Sequence, residues 1–409
     1  MAKPEIRLKG FEGEWETTFL NDIAKGFSYG INAAAMPFDG VNKYLRITDI
    51  DDSTRIFEKN NLTSPNAEDI ESYILQDGDI TFARTGASVG KSYIYNPEDG
   101  KVIFAGFLIR AQMKETVCPH FVYYNTLTNG YYKYIKIVSQ RSGQPGVNSK
   151  EYGEYSLCLP KDKKEQQSIA DYFKSLDSMI QGVTKKIASL KQMKQACLVS
   201  MFPQVGETTP RVRFKGFKGE WGSTPLSQFS KKVTRKNNNL EYKITLTNSA
   251  EFGVINQLDF FDHDISNGDN IRGYYVVEND DFVYNPRISA TAPVGPINRN
   301  MLGYSGVMSP LYYVFKVNGI DKDYLNYFFK TKLWHKFMKD NGNSGARFDR
   351  LSITDDVFVQ MPIFCPKDIA EQKRIASFFR SLDSQISLQE QRLEKLKQIK
   401  SACLDKMFV

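Results

Sequence analysis

Three short patterns come closest to chemical machinery. Thr85-Gly-Ala-Ser-Val-Gly-Lys-Ser92 is one residue away from G-x-x-x-x-G-K-[ST], the loop whose backbone N–H groups and lysine cradle nucleotide phosphates. Thr85 stands where the first glycine is needed, and no downstream apolar strand ends in Asp, so no nucleotide site is expected. Asn285-Pro-Arg287 begins like the Asn-Pro-Pro-aromatic loop of adenine methyltransferases, but it lacks the second proline, the aromatic and any glycine-rich cofactor loop. Asp99-Gly-Lys101 imitates half of a nuclease metal site, a pattern that chance supplies often. Cys118, Cys158, Cys197, Cys365 and Cys403 form no C-x-x-C pair, and His120, His263 and His335 lie far apart, so neither a disulfide framework nor a metal site is expected. No catalytic constellation survives, and the chain is expected to be a non-enzyme without a cofactor of its own.

The remaining candidates are polar residues that could bind, and their placement depends on architecture. At 409 residues, 41% hydrophobic and 25% charged, the chain is globular and long enough for two or more domains. The excess of 54 basic over 47 acidic residues is too small for a histone-like binder, yet it leaves nucleic acid open as a partner. No run of about 18 apolar residues suggests a membrane span. With no apolar core in the N-terminal stretch and scattered unpaired cysteines, the expected setting is a reducing cytoplasm.

Self-similarity is the most informative feature. Arg7-Leu-Lys-Gly-Phe-Glu-Gly-Glu-Trp15 recurs as Arg213-Phe-Lys-Gly-Phe-Lys-Gly-Glu-Trp221, an offset of 206. At the same offset, Pro160-Lys-Asp-Lys-Lys-Glu-Gln166 recurs as Pro366-Lys-Asp-Ile-Ala-Glu-Gln372, and 165–202 matches 371–408 at 19 of 38 positions. Residues 1–203 and 207–409 are therefore two copies of one unit, with similar ends and diverged middles. Weak echoes persist between them, such as Asp79-Ile-Thr-Phe-Ala-Arg84 against Asp281-Phe-Val-Tyr-Asn-Pro-Arg287.

The matched C-terminal segments read as long helices. Ile169, Phe173, Leu176, Ile180, Val183, Ile187 and Leu190 alternate spacings of 4 and 3, a heptad seam that continues less regularly through Met193, Cys197 and Met201. The second copy runs Ile375, Phe379, Leu382, Ile386, Leu393, Leu396 and Ile399, then Cys403 and Met407, with Gln389 interrupting it. Asp162-x-x-Glu165 and Asp368-x-x-Glu371 supply a start signal in which Asp caps and Glu reaches back. One heptad helix cannot bury its own seam, so the two are expected to pair antiparallel. A solvated dimerisation stalk is the simpler reading; alternation with globular inserts favours a spacer between two heads.

The inserts, roughly 21–160 and 227–366, have the size of domains and read as mixed α/β. Val102-Ile-Phe-Ala-Gly-Phe-Leu-Ile109 and Leu311-Tyr-Tyr-Val-Phe-Lys-Val317 look like buried strands. The aromatic runs 121–124, 131–135, 324–329 and 333–337 fit helices whose rings are mostly core. Residues 21–160 carry 14 basic and 16 acidic side chains and 237–366 carry 12 and 15, whereas 161–236 carries 16 and 6 and 367–409 carries 9 and 6. The heads are near neutral, and the basic excess sits on the helices and the chain after the first of them.

Taken together, the two Pro-x-x-x-x-Glu-Gln-x-x-Ile-Ala helices behind variable domains, the 79–91 segment ending in Gly-Lys and the Lys-Gly-Phe-x-Gly-Glu-Trp openers give the whole chain a resemblance. It resembles the DNA-specificity (S) subunits of type I restriction-modification systems. The resemblance implies a non-catalytic, mixed α/β protein with a pseudo-twofold internal repeat and two antiparallel coiled-coil helices. Target recognition domains would occupy 1–160 and 207–366, and spacer helices 161–206 and 367–409. It further implies an asymmetric bipartite double-stranded DNA target. Two modification subunits would dock on the helices and carry S-adenosylmethionine for adenine methylation, and restriction subunits using ATP and Mg could join them. The competing class is a coiled-coil interaction protein with two protein-binding heads.

Base readout needs bidentate donors and amides on loops, since Arg pairs with guanine and Asn or Gln with adenine. In the first head these are Arg84, Thr85, Gly86, Ser88 and Lys91, then Gln140, Arg141, Ser142, Gln144 and Asn148, with Arg46 and Thr48 on a short strand as weaker candidates. In the second they are Asn285, Arg287, Asn343, Ser344, Arg347 and Arg350.

Overall fold

The openers close the heads. After Trp15, Glu16–Phe19 pairs antiparallel with Ser156–Leu159, and after Trp221, Gly222–Pro225 pairs in the same way with Pro362–Cys365. The two ends of each insert thus meet at one place, just before the long helix that follows. These features come from a computed structural model that describes residues 3–141, 143–259, 270–343 and 349–409.

Each head is built on a four-stranded antiparallel sheet. The first uses β1 (Ala24–Tyr29), β2 (Asp79–Ala83), β3 (Ser92–Ile94) and β4 (Leu108–Met113) in the order β1-β4-β2-β3. The second uses β5 (Ser230–Lys232), β6 (Phe282–Tyr284), β7 (Ile297–Arg299) and β8 (Tyr313–Val317) in the equivalent order β5-β8-β6-β7. Ile80 faces Ala111 across β2 and β4, and Phe282 faces Phe315 across β6 and β8. Two apolar runs do not form the single strands expected. Val102–Phe104 and Leu108–Met113 are separate strands with a turn between them, and the second run becomes a strand only from Tyr313.

Helices α1 (Pro119–Asn125), α2 (Asn129–Val138), α4 (Lys322–Phe328) and α5 (His335–Asn341) cover the sheets with the expected aromatic faces. Phe121, Tyr124, Tyr131, Tyr324, Phe328 and Trp334 are all buried, because rings of this size repay desolvation best when fully enclosed. The long helices are α3 (Lys163–Ser200) and α6 (Ile369–Met407).

The chain forms two compact units, Met1–Lys185 with Glu390–Val409, and Lys186–Gln389. In the first, the start of α3 packs antiparallel on the end of α6. The Lys400 ammonium reaches Asp177 at 2.6 Å, the Tyr172 hydroxyl lies 3.3 Å from Cys403 Sγ, and Phe408 sits between Phe121 and Phe173. In the second, Lys194 pairs with Asp383, and Phe202 packs on Trp221, Tyr324 and Phe379.

All seven seam residues of α3 are buried, as are Ile375, Phe379, Leu382 and Ile386. Beyond Gln389 the expected seam needs correction. Leu393 and Leu396 are only half-buried and Ile399 is 38% exposed; of the expected continuation Cys403 is half-buried and Met407 buried, and Leu404 and Phe408, outside the seam, are buried beside them. Met193 is likewise exposed, with Leu198 buried in its stead. The helix ends pack into the heads as well as on each other, so their apolar stripe follows the head surface and not the heptad.

The helix starts also differ from a capping box. Asp162 and Asp368 accept from the N–H groups of Lys164 and Ala370, each at 2.8 Å. Glu165 takes Arg7 on both carboxylate oxygens at 2.7 Å, and Glu371 takes Arg213 at 2.6 and 2.8 Å. Gln166 and Gln372 accept from the N–H groups of Cys118 and Asp321 and donate to the Pro160 and Pro366 carbonyls.

Asp79 and Asp281 are buried where the central strand of each head begins, and accept from the N–H groups of Gln76 and Glu278. Burial raises both carboxyls, Asp281 to about 6. A carboxyl whose folded-state pKa exceeds its unfolded value contributes stability that is complete below about pH 4 and lost as pH rises through 6. Asp281→Asn keeps an acceptor and removes the titration. The thermal midpoint of this variant should gain on that of the unsubstituted protein between pH 4 and 7; a constant difference would show that Asp281 titrates as an ordinary carboxylate.

Candidate nucleic-acid interface

The hairpin from β2 to β3 carries the first group of candidates, and two buried tyrosines hold its neck. Tyr152 Oη donates to the Ala83 carbonyl at 2.6 Å and accepts from Gly90 N–H at 3.1 Å, while Tyr131 Oη donates to the Gly90 carbonyl at 3.0 Å. Gly90 has φ +86°, and a Cβ there would lie 2.7 Å from Ile135, so the turn requires glycine. The second group, from the loop after α2, lies against this hairpin. Gly86 N–H donates to the Pro145 carbonyl at 3.0 Å, Val147 N–H to the Arg84 carbonyl at 2.9 Å, and Thr85 pairs with Gly146. Two segments some fifty residues apart in sequence therefore form one surface.

On that surface the Arg84 guanidinium lies over the Tyr29 ring, 5.0 Å from its centre. Tyr29 Oη donates to Ser149 Oγ and accepts from Ser149 N–H, and these bonds together with the charge of Arg84 pull its phenol below the usual range. Tyr29 ends β1 and is absent from the sequence-based set, because nothing local in the sequence sets it apart from a core aromatic. Gln140 and Gln144 are exposed, and Thr85, Gly86 and Ser88 are half-buried. Arg141 pairs with Glu151 and donates to the Val138 carbonyl at 2.8 Å. Asn148 caps the Ser149–Gly153 helix through Glu151 N–H, so its carbonyl oxygen is engaged. Ser142 lies outside the described residues.

Lys91 must be removed from the binding set. It is 6% exposed, and its ammonium donates to the carbonyls of Ile50 at 2.9 Å and Ile47 at 3.4 Å and pairs with Asp52. The strand Ser92–Ile94 follows it directly, where a phosphate-binding loop would lead into a helix. The turn that Lys91 holds contains exposed Thr48, and Arg46 beside it forms a bidentate pair with Asp49 at 2.7 and 2.8 Å. Arg46 is thus partly neutralised. Asp99, from the metal-like pattern, is buried against Tyr93 Oη and the Lys59 ammonium.

The second head repeats the arrangement with different residues. Ile288 N–H donates to the Asp349 carbonyl and Leu351 N–H to the Pro286 carbonyl, both at 2.9 Å, which sets Arg287 opposite Arg350. Asn343 pairs with Ser352 through two bonds of 2.8 Å. Arg287 is 65% exposed, with the Asp349 carboxylate 3.8 Å from both it and Arg350. Asn285 is structural at both ends: its amide donates to the Asn248 carbonyl and its oxygen accepts from Arg287 N–H. Ser344 and Arg347 lie outside the described residues.

In both heads, then, the loop after the central strand joins the loop after the second covering helix, and the joint surface carries guanidinium groups, with the exposed amides of Gln140 and Gln144 beside them in the first head. Among the described residues no three His, Cys, Asp or Glu side chains converge as a metal site, and no helix is long and apolar enough to cross a membrane.

The family model for the type I restriction modification DNA specificity domain matches twice, over residues 12–192 and 220–398. Solved structures share the fold. The crystal structure of a type I restriction-modification S subunit from M. genitalium aligns over 100% of this chain and 99% of its own, with TM-score 0.61 and 11% identity. A structure concerned with complex assembly and conformational transition of the type I R-M system covers 97% of this chain and 98% of its own, with TM-score 0.52 and 14% identity.

The position of Lys91 makes a prediction. Lys91→Met should lower stability by about 1–3 kcal/mol, because it strands buried carbonyls, and should leave the salt dependence of DNA binding unchanged. A slope smaller by about one would return Lys91 to the phosphate contacts.

Proposed function

Because the chain belongs to the type I restriction-modification DNA specificity family, we propose a division of labour among its parts. It is a non-catalytic specificity subunit with two target recognition domains, and its partners are double-stranded DNA and methyltransferase subunits. The first head reads one half of a bipartite target through the joined 84–88 and 140–148 loops. The second reads the other half through the joined loops that carry Arg287 and Arg350. The observation that carries this reading is the same loop pairing on the same sheet order, lined with different donors. Identical framing suits one task; different donors suit two different half-sites.

Within this reading Arg84 is the leading base contact of the first head. Its guanidinium is preorganised on Tyr29 and has no carboxylate within ion-pairing range among the described residues, unlike Arg46 and Arg141. Gln144 beside it is the leading amide. The near-neutral heads leave non-specific phosphate attraction to the basic helices, which would set the unspecified gap and dock adenine methyltransferase subunits. S-adenosylmethionine, and ATP with Mg where a restriction subunit joins, would reside on those partners, and the complex would work in the cytoplasm.

Two measurements test this. Exchanging residues 21–155 for the corresponding segment of a relative should change one half of the methylated motif and preserve the other half and the gap. A change in both halves would rule out separate reading heads. Arg84→Ala should weaken specific binding by about 1–3 kcal/mol while sparing random DNA; equal losses on both would make Arg84 a phosphate contact.

A further inference from the structure

Two exposed side chains occupy places where an apolar run led us to expect burial. Phe107 is 60% exposed in the turn before β4, and Leu311 is 57% exposed just before β8. Their positions are equivalent. Ala111 and Phe315 face the central strands at Ile80 and Phe282, and Phe107 and Leu311 each lie four residues ahead of that partner. A lone exposed apolar side chain needs no explanation. Here a Phe and a Leu recur at one topological position in heads whose sequences have otherwise diverged.

Both also lie beside the donor-bearing loops. The Phe107 carbonyl accepts from Arg84 N–H at 3.0 Å. Leu311 lines a cleft of about 260 Å³ together with Pro286, Arg350 and Leu351. The turn that carries Phe107 is tightly built. Gly106 N–H donates to the Ile31 carbonyl at 2.8 Å, and Gly30 packs so closely that a Cβ would lie 2.2 Å from the Ala105 carbonyl oxygen. The ring is therefore displayed by a fixed backbone, at the residue whose carbonyl accepts from Arg84 N–H.

The major groove offers one apolar feature, the C5-methyl of thymine; cytosine presents an N4 amino donor and no methyl. We propose that Phe107 and Leu311 are specificity-determining contacts, each packing on a thymine C5-methyl within the half-site of its own head. This rests on the reading of the joined loops as DNA-facing. The arginines and amides then select purine edges, while the apolar side chain selects thymine at a neighbouring step. Phe in one head and Leu in the other would place that step differently in the two half-sites.

The test uses the subunit assembled with its modification subunits and duplexes in which each thymine of the target is replaced in turn by deoxyuridine, which removes only the methyl group. One replacement in the first half-site should weaken binding about three- to tenfold. Phe107→Ala should weaken binding to the thymine duplex by a similar factor and no longer distinguish thymine from deoxyuridine there, whereas Phe107→Leu should still distinguish them. Leu311→Ala should act in the same way on the other half-site. The proposal is overturned if Phe107→Ala keeps the full distinction, or if no position in the first half-site responds, including the case of a half-site without thymine. Arg84→Ala on the same duplexes separates the two levels of failure. Loss of specific binding there without methyl coupling at Phe107 sinks only the methyl contact, and no loss in either variant overturns the DNA-facing loops themselves. Phe107 is exposed, so an unchanged thermal midpoint confirms that the variant folds.

Discussion

Each head is fastened to its helix by a half-buried guanidinium on a buried carboxylate. Glu165 and Glu371 are almost fully buried in the first turn of their helices, and each would be an uncompensated charge without Arg7 or Arg213. Each arginine also holds its own opener in shape, donating to the Gly13 and Glu12 carbonyls in one copy and the Gly219 and Lys218 carbonyls in the other. The opener in turn leads into the strand that closes the head. The neighbouring Gln166 or Gln372 joins the covering helices to the strand end, and Asp177 or Asp383 joins a head tyrosine to a lysine of the other long helix. A head is therefore located by a chain of polar contacts at both of its ends, and its middle is free to differ.

That arrangement explains what could be read from the sequence. The repeated residues are the ones in these contacts, so the Glu-Gln pair, the Ser-Leu-Asp-Ser stretch and the terminal Met-Phe stand out as a pattern in the bare chain of residues. Their pairing is less legible: Asp162-x-x-Glu165 looks like a self-contained cap, and only the fold shows that Glu165 belongs to an arginine 158 residues away. The seam fails beyond Gln389 for a related reason, since Phe408 packs on the head at Phe121 as well as on Phe173 of the partner helix.

The candidate surface was half legible. Residue types singled out loops that turn out to be neighbours in both heads, but the joining of each pair depends on backbone bonds between distant segments, which local sequence does not encode. Lys91 followed a glycine and read as exposed, whereas it is folded under the Ile47–Asp49 turn. Phe107 and Leu311 failed in the opposite direction: an apolar run carries no mark of the residue at which the chain turns outward. Tyr29 shows the same limit, because a ring that supports a guanidinium looks in sequence like any core ring.

The first unit is completed by residues 390–409, whose Phe408 fills the space between Phe121 and Phe173. The second unit is continuous in the chain. On the ribosome this inverts the order of completion. At about 5–20 residues per second, the first head waits on the order of 10–40 s for its last core side chain, while the second unit can close as it emerges. During that interval the aromatic core of the earlier-made head stays open on one side, which makes synthesis time a hazard that the folded molecule no longer shows.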